Sequence, residues 1–107
     1  MSNSNCTCFH LVHPGEILYE EWLKPLGITQ FELAQGILLS PRKISEIATG
    51  KRPITADVAV RLALFFGTDA ESWLNLQSHY DIKKSEEEIK TDIESILDSS
   101  IDGYLNI

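Results

Sequence analysis

Between residues 40 and 52 the chain gathers side chains suited to hydrogen bonding with base edges and phosphates: Ser40, Arg42, Lys43, Ser45, Glu46, Thr49, Lys51 and Arg52. A guanidinium at Arg42 can donate two parallel bonds to guanine O6 and N7, which makes it the candidate for sequence discrimination. Lys51 and Arg52 are better suited to phosphates, which hold a protein on a duplex without reading it. Glu46 could accept from a cytosine amine, although a carboxylate among cations is more often held by one of them. Ile44, Ile47 and Ala48 fall among these polar positions at i, i+3 and i+4, so one side of the segment is apolar and the other polar. Such a helix packs on one side and can enter a major groove with the other.

The elements around it are short and well punctuated. Thr29 and Glu32 have the spacing of a capping box, predicting a helix that starts there. Ser40 predicts the cap of the next helix, with Pro41 at its first position, where a missing N–H costs nothing. Gly50 ends that helix, and two helices joined by so short a turn read as a helix-turn-helix. Upstream, His13-Pro-Gly-Glu16 opens a helix carrying Ile17, Leu18 and Trp22, which Pro25 should stop near Leu23 or Lys24. Downstream, Thr55 caps a fourth helix with Val58, Leu62, Phe65 and Phe66 on its core face. Thr68 and Glu71 have the spacing of a second capping box, for a fifth helix carrying Trp73, Leu74, Leu76, Gln77 and Tyr80. Trp22, Phe65, Phe66 and Trp73 are expected in packing, and Tyr80 is a candidate for a dimer interface. Ser85 and Glu88 predict a sixth, amphipathic helix with Ile89, Ile93, Ile96, Leu97 and Ile101 on one stripe. That stripe must bury against its own domain, a second copy or a different protein.

The expected architecture is all-α. A flexible arm (1–12) precedes a five-helix DNA-binding domain (13–84), and an amphipathic extension (85–107) follows it. With 107 residues and 43% hydrophobic content this is one domain. A mean hydropathy of −0.08 fits a soluble protein. No apolar run approaches the roughly 20 residues of a membrane span, and the first residues lack a signal-peptide pattern.

The net charge of −7 argues at first against a nucleic-acid partner. Its distribution reverses the objection. In residues 40–61 Arg42, Lys43, Lys51, Arg52 and Arg61 outnumber Glu46 and Asp57, whereas residues 1–39, 62–82 and 83–107 are each net acidic. The positive segment coincides with the groove-entering helix and its following loop, leaving one basic face on an acidic protein.

Catalysis finds no support, because the chain has no Gly-rich phosphate loop, nucleophile elbow or His-Glu-x-x-His. Cys6, Cys8, His10 and His13 are potential metal ligands, but zinc ligand pairs usually straddle a longer spacer that lets the chain wrap a tetrahedron. They are read as the arm and its junction with the first helix, with no metal and no cofactor.

Pro14-Gly-Glu-Ile-Leu18, Ile28-Thr-Gln30, Leu33-Ala34, Ile44-Ser-Glu-Ile47, Gly50-Lys-Arg52, Ile54-Thr-Ala-Asp57, Ala59, Arg61-Leu-Ala63, Phe65-Phe-Gly67 and Trp73-Leu-Asn-Leu-Gln77 follow in an order that resembles one family. It is that of the HigA antitoxins, also called virulence-associated protein I, a branch of the XRE or lambda-repressor-like helix-turn-helix proteins. The resemblance covers about residues 13–84. It implies a cytoplasmic bacterial homodimer that binds double-stranded operator DNA, represses its own operon and neutralises a toxin, an mRNA endonuclease. The alternative is a stand-alone repressor without a toxin.

The resemblance further implies that Gln30 contacts a phosphate and that Arg42 and Lys43 reach base edges. Ser45, Glu46 and Thr49 would lie nearer the groove wall, with Lys51 and Arg52 on the backbone. The chain departs from the family at Leu38, where a glycine is usual two residues before the capping serine; its own glycine is Gly36. An altered turn is the expected consequence, since a positive φ suits leucine poorly.

Overall fold

A computed structural model describes residues 11–101 as six helices with no strand among them. Cys6, Cys8 and His10 of the expected arm, and the end of the expected C-terminal extension from residue 102, lie outside the described residues. Helix α1 covers residues 14–26 as an α-helical turn (Pro14–Ile17), a π-helical stretch (Leu18–Leu23) and a last turn (Lys24–Leu26). The expected stop at Leu23 or Lys24 is therefore corrected: Pro25 lies inside the helix. A proline normally removes a bond and crowds the carbonyl four residues back. Here the wider π-type turn, with the Lys24 N–H donating to the Tyr19 carbonyl, precedes the ring, and the helix continues to Gly27 at φ 69°.

Helices α2 (Gln30–Ile37), α3 (Pro41–Ala48) and α4 (Ala56–Phe66) start where the sequence places them. Thr29 Oγ1 accepts from the Glu32 N–H at 3.0 Å, and Glu32 Oε1 accepts from the Thr29 N–H at 2.9 Å, completing the capping box. Ser40 Oγ accepts from the Lys43 N–H at 3.2 Å, and Thr55 caps α4.

Helix α5 (Ala70–Glu88) corrects two expectations. Its cap is Asp69, whose carboxylate accepts from the Ser72 N–H at 2.7 Å and the Ser72 hydroxyl at 3.1 Å. Those bonds favour the ionised form and lower the Asp69 pKa. Thr68 instead accepts from the Trp73 indole N–H at 2.8 Å. The helix also runs on through Ser85, where a fresh start was expected, so no capping box forms there. It breaks at Ile89, followed by a 3₁₀ turn (Lys90–Asp92) and helix α6 (Ile93–Asp98).

The core is built from one face of each of the first five helices. Leu18, Leu23, Leu33, Ile44, Ile47, Ile54, Val58, Leu62 and Trp73 are buried. Trp22, Phe66 and Trp73 form an aromatic cluster, with ring centroids 4.9 and 5.6 Å from Trp22 to the other two. Phe65 departs from its expected place in the core. It is 39% exposed and lies over Gly36, whose missing Cβ makes room for the ring.

The turn between α2 and α3 is not rebuilt around Leu38. The residue simply adopts the left-handed conformation, at φ 60° and ψ 43°, with its side chain 82% exposed. Among the described residues it is the one non-glycine with positive φ. It gains little from burial that would offset the Cβ crowding of that region. Leu38→Gly should therefore raise stability by about 0.5–1 kcal/mol, less whatever the freer unfolded chain takes back. A rise of a few degrees in melting temperature is the expected reading, and an unchanged or lower value would contradict it.

His13 joins three elements. Its Nδ1 accepts from the Gly15 N–H at 2.9 Å and caps α1, its ring meets Tyr80 of α5 edge-on at 4.8 Å, and Gly50 lies against it. Burial lowers its pKa below 6.5, assisted by Lys84 and opposed by Asp81 and Glu16. The unfolded chain then binds the proton more readily than the folded one, so this stability is present above pH 6.5 and is lost as pH falls below it. His13→Asn keeps an acceptor at the cap but does not titrate. The wild type should lose more denaturant resistance than this variant between about pH 7.5 and 5.5, and parallel losses would exclude the role.

Candidate nucleic-acid interface

The orientation of α3 follows from its buried stripe. Ile44 and Ile47 are fully buried, each worth roughly 1.5–3 kcal/mol, so rotation of the helix about its axis would be costly. Residues at i, i+3, i+4 and i+7 then share the outward face, which carries Arg42, Ser45, Glu46 and Thr49. Lys43 lies to one side of that face and is half-buried. Ser40 and Gln30 sit at the starts of α3 and α2, and the Ser40 hydroxyl oxygen is engaged as the cap. Lys51 and Arg52 follow in the exposed loop before α4.

The polar groups of this face are linked to one another. Glu46 Oε1 accepts from Arg52 Nε at 2.9 Å and Nη2 at 2.7 Å, while its Oε2 accepts from Arg42 Nε at 3.4 Å. The Arg52 guanidinium holds the Glu46 carboxyl below the usual carboxylate range, with a smaller contribution from Arg42. The Thr49 hydroxyl donates to the Ser45 carbonyl at 2.9 Å and lies 3.3 Å from that of Glu46, so it helps close the helix end. The Arg42 side chain is 88% exposed and that of Arg52 45%, which leaves Arg42 the less restrained guanidinium.

Arg61, counted among the cations of the positive segment, is engaged elsewhere. Its Nη1 donates to the Ile37 carbonyl at 2.8 Å, satisfying the C-terminal end of α2, and its Nε donates to Asp57 at 3.0 Å. The cations left around α3 are Arg42, Lys43, Lys51 and Arg52.

Two residues that hold this surface in place escaped sequence reasoning. Gly15, in the first turn of α1, packs on the C-terminal end of α3 so closely that a Cβ would overlap the Ile47 carbonyl oxygen and lie 2.6 Å from its carbon. Pro14-Gly15 marks a helix start by its proline, while the glycine inside the helix is the signal of a close approach. Gln77 is buried on α5; its Oε1 accepts from the Ile54 N–H at 2.8 Å, tying down the loop after Arg52. Its Nε2 donates to Asp81 at 2.9 Å.

The helix-turn-helix family HTH_3 matches residues 20–73. Virulence-associated protein I of Dichelobacter nodosus is 50% identical over 92 residues, which is 86% of this chain and 84% of that protein. The structure of Pseudomonas aeruginosa antitoxin HigA with the higBA promoter superposes with a TM-score of 0.77 at 36% identity, covering 80% of this chain and 94% of that one. An addiction module antidote protein of the HigA family from Coxiella burnetii gives a TM-score of 0.76 at 42% identity, covering 81% and 95%.

Proposed function

Since the chain belongs to the helix-turn-helix family, in its branch of HigA antitoxins and virulence-associated protein I, we propose that it binds operator DNA through α3 and represses its own operon. The family is one of regulators, not of enzymes. The observation that carries the reading is the face of α3: Arg42, Ser45, Glu46 and Thr49 project from a helix fixed by Ile44 and Ile47, beside Lys51 and Arg52. Arg42 and Lys43 are the base-reading candidates. Gln30, Lys51 and Arg52 serve phosphates, with Ser40 at the helix start. A two-fold homodimer would present two such helices to half-sites about 34 Å apart.

The second part of the proposal is neutralisation of a toxin in the bacterial cytoplasm. The Coxiella relative, described as an addiction module antidote protein, supports it. So does the C-terminal stripe, where Ile89, Ile96, Leu97 and Ile101 are 40–71% exposed and only Ile93 is half-covered. No described helix is long and apolar enough to cross a membrane.

The test is footprinting of the full chain on the DNA upstream of its own gene, combined with co-purification of the product of the neighbouring gene. Protection of a palindrome with a co-purifying neighbour supports both parts. Protection without a partner leaves the stand-alone repressor, and no protection removes the DNA reading.

A further inference from the structure

We propose that Glu46 is a specificity-determining residue, holding the Arg52 and Arg42 guanidinium groups against its carboxylate and so restraining binding to random DNA. The inference rests on the DNA reading above. Its basis is the pair of short bonds from Arg52 Nε and Nη2, at 2.9 and 2.7 Å, and the 3.4 Å contact from Arg42. Glu46 shares the outward face of α3 with Arg42, and its side chain is 26% exposed.

Two effects follow from that position. Binding to random DNA is almost wholly electrostatic and responds to the net charge of the face presented. A carboxylate amid Arg42, Lys43, Lys51 and Arg52 weakens every such encounter, and it occupies two of the five Arg52 N–H donors that a phosphate would otherwise take. The second effect appears only in register. Arg42, bound by a longer contact and 88% exposed, is readily released to a base, while Arg52 stays oriented by Glu46 and keeps three N–H groups for the backbone. The carboxylate thus penalises loose binding while organising the docked state.

The experiment compares wild type, Glu46→Gln, Arg52→Gln and the double variant on two 30-base-pair duplexes, one from DNA upstream of the gene and one shuffled, between about 50 and 200 mM salt. Matching melting temperatures establish that the variants remain folded. Glu46→Gln should tighten binding to the shuffled duplex about three- to tenfold and steepen its salt dependence by about one phosphate equivalent. Binding to the upstream duplex should gain less or weaken, so the affinity ratio falls. In the Arg52→Gln background the gain on the shuffled duplex should shrink by at least half.

An unchanged or weakened affinity for the shuffled duplex would overturn the proposal, as would equal gains on both duplexes. A wild-type ratio near one would instead strike at the DNA reading itself. A large wild-type ratio left unaltered by Glu46→Gln would remove the role of Glu46 alone.

Discussion

Gly15→Ala is expected to destabilise the protein by about 2 kcal/mol or more, a large loss for one added methyl group. Two opposing effects decide the sign. Alanine is the better helix former by roughly 1 kcal/mol, which favours the variant. Against this, the new Cβ would overlap the Ile47 carbonyl oxygen and stand 3.1 Å from Ala48 Cα. Those are backbone atoms and cannot rotate away. Overpacking of this kind typically costs 1–3 kcal/mol and occasionally more, and a contact on backbone belongs at the upper end. Thermal melting should show a fall of about 10 °C, using roughly 4–8 °C per kcal/mol for a domain near this size. Gly36→Ala is the control, because the obstacle there is the half-exposed ring of Phe65, which can swing into solvent. Similar melting temperatures for the two variants would refute the close packing of α1 on α3.

Arg42→Ala should cost about 1–3 kcal/mol of discrimination between operator and random DNA, or about 5- to 150-fold in the affinity ratio. The structure makes this prediction sharper than the sequence could. Arg42 is held to Glu46 by one long contact and its side chain is 88% exposed, so its loss leaves no buried partner unsatisfied, whereas truncating Arg52 would break the two short bonds that hold Glu46. Lys51→Ala serves as the contrast: it should weaken both duplexes alike and make the salt dependence shallower by about one phosphate. If Arg42→Ala lowered both affinities equally, base reading by that residue would be excluded.

Helix starts governed by local hydrogen bonding were legible in the sequence. Thr29, Ser40 and Thr55 act as caps because the interaction involves residues only three apart. Where two local solutions competed, the pattern could not arbitrate. Thr68 and Asp69 are both capping residues with a plausible partner, and the Trp73 indole takes the Thr68 hydroxyl, leaving the cap to Asp69. Ser85 likewise has cap spacing, yet it falls in a helix already under way, whose propagation is easier than interruption.

The side chains of the candidate interface were legible as a set, but not their links. Glu46 and Arg52 lie six residues apart across a helix end, and Arg61 reaches Ile37 on another helix. Neither separation belongs to a local period. The close approach of Gly15 to Ile47 is similarly a tertiary fact, visible only once α1 and α3 are side by side.

The continuity of α5 has a consequence for the segment that follows Tyr80. Trp73 and Gln77 are buried in the first half of this helix, whereas residues 81–88 are exposed throughout. Beginning a helix is costly because several residues must be ordered for the first hydrogen bond, while lengthening one adds a bond for each residue ordered. The anchored half meets that initial cost. Residues 81–88 therefore need only the small favourable increment of propagation to stay helical, which an isolated peptide of the same sequence could not rely on. The isoleucines beyond are thus carried out from the domain on a preformed stem, and a partner that meets them is spared the entropy of ordering it.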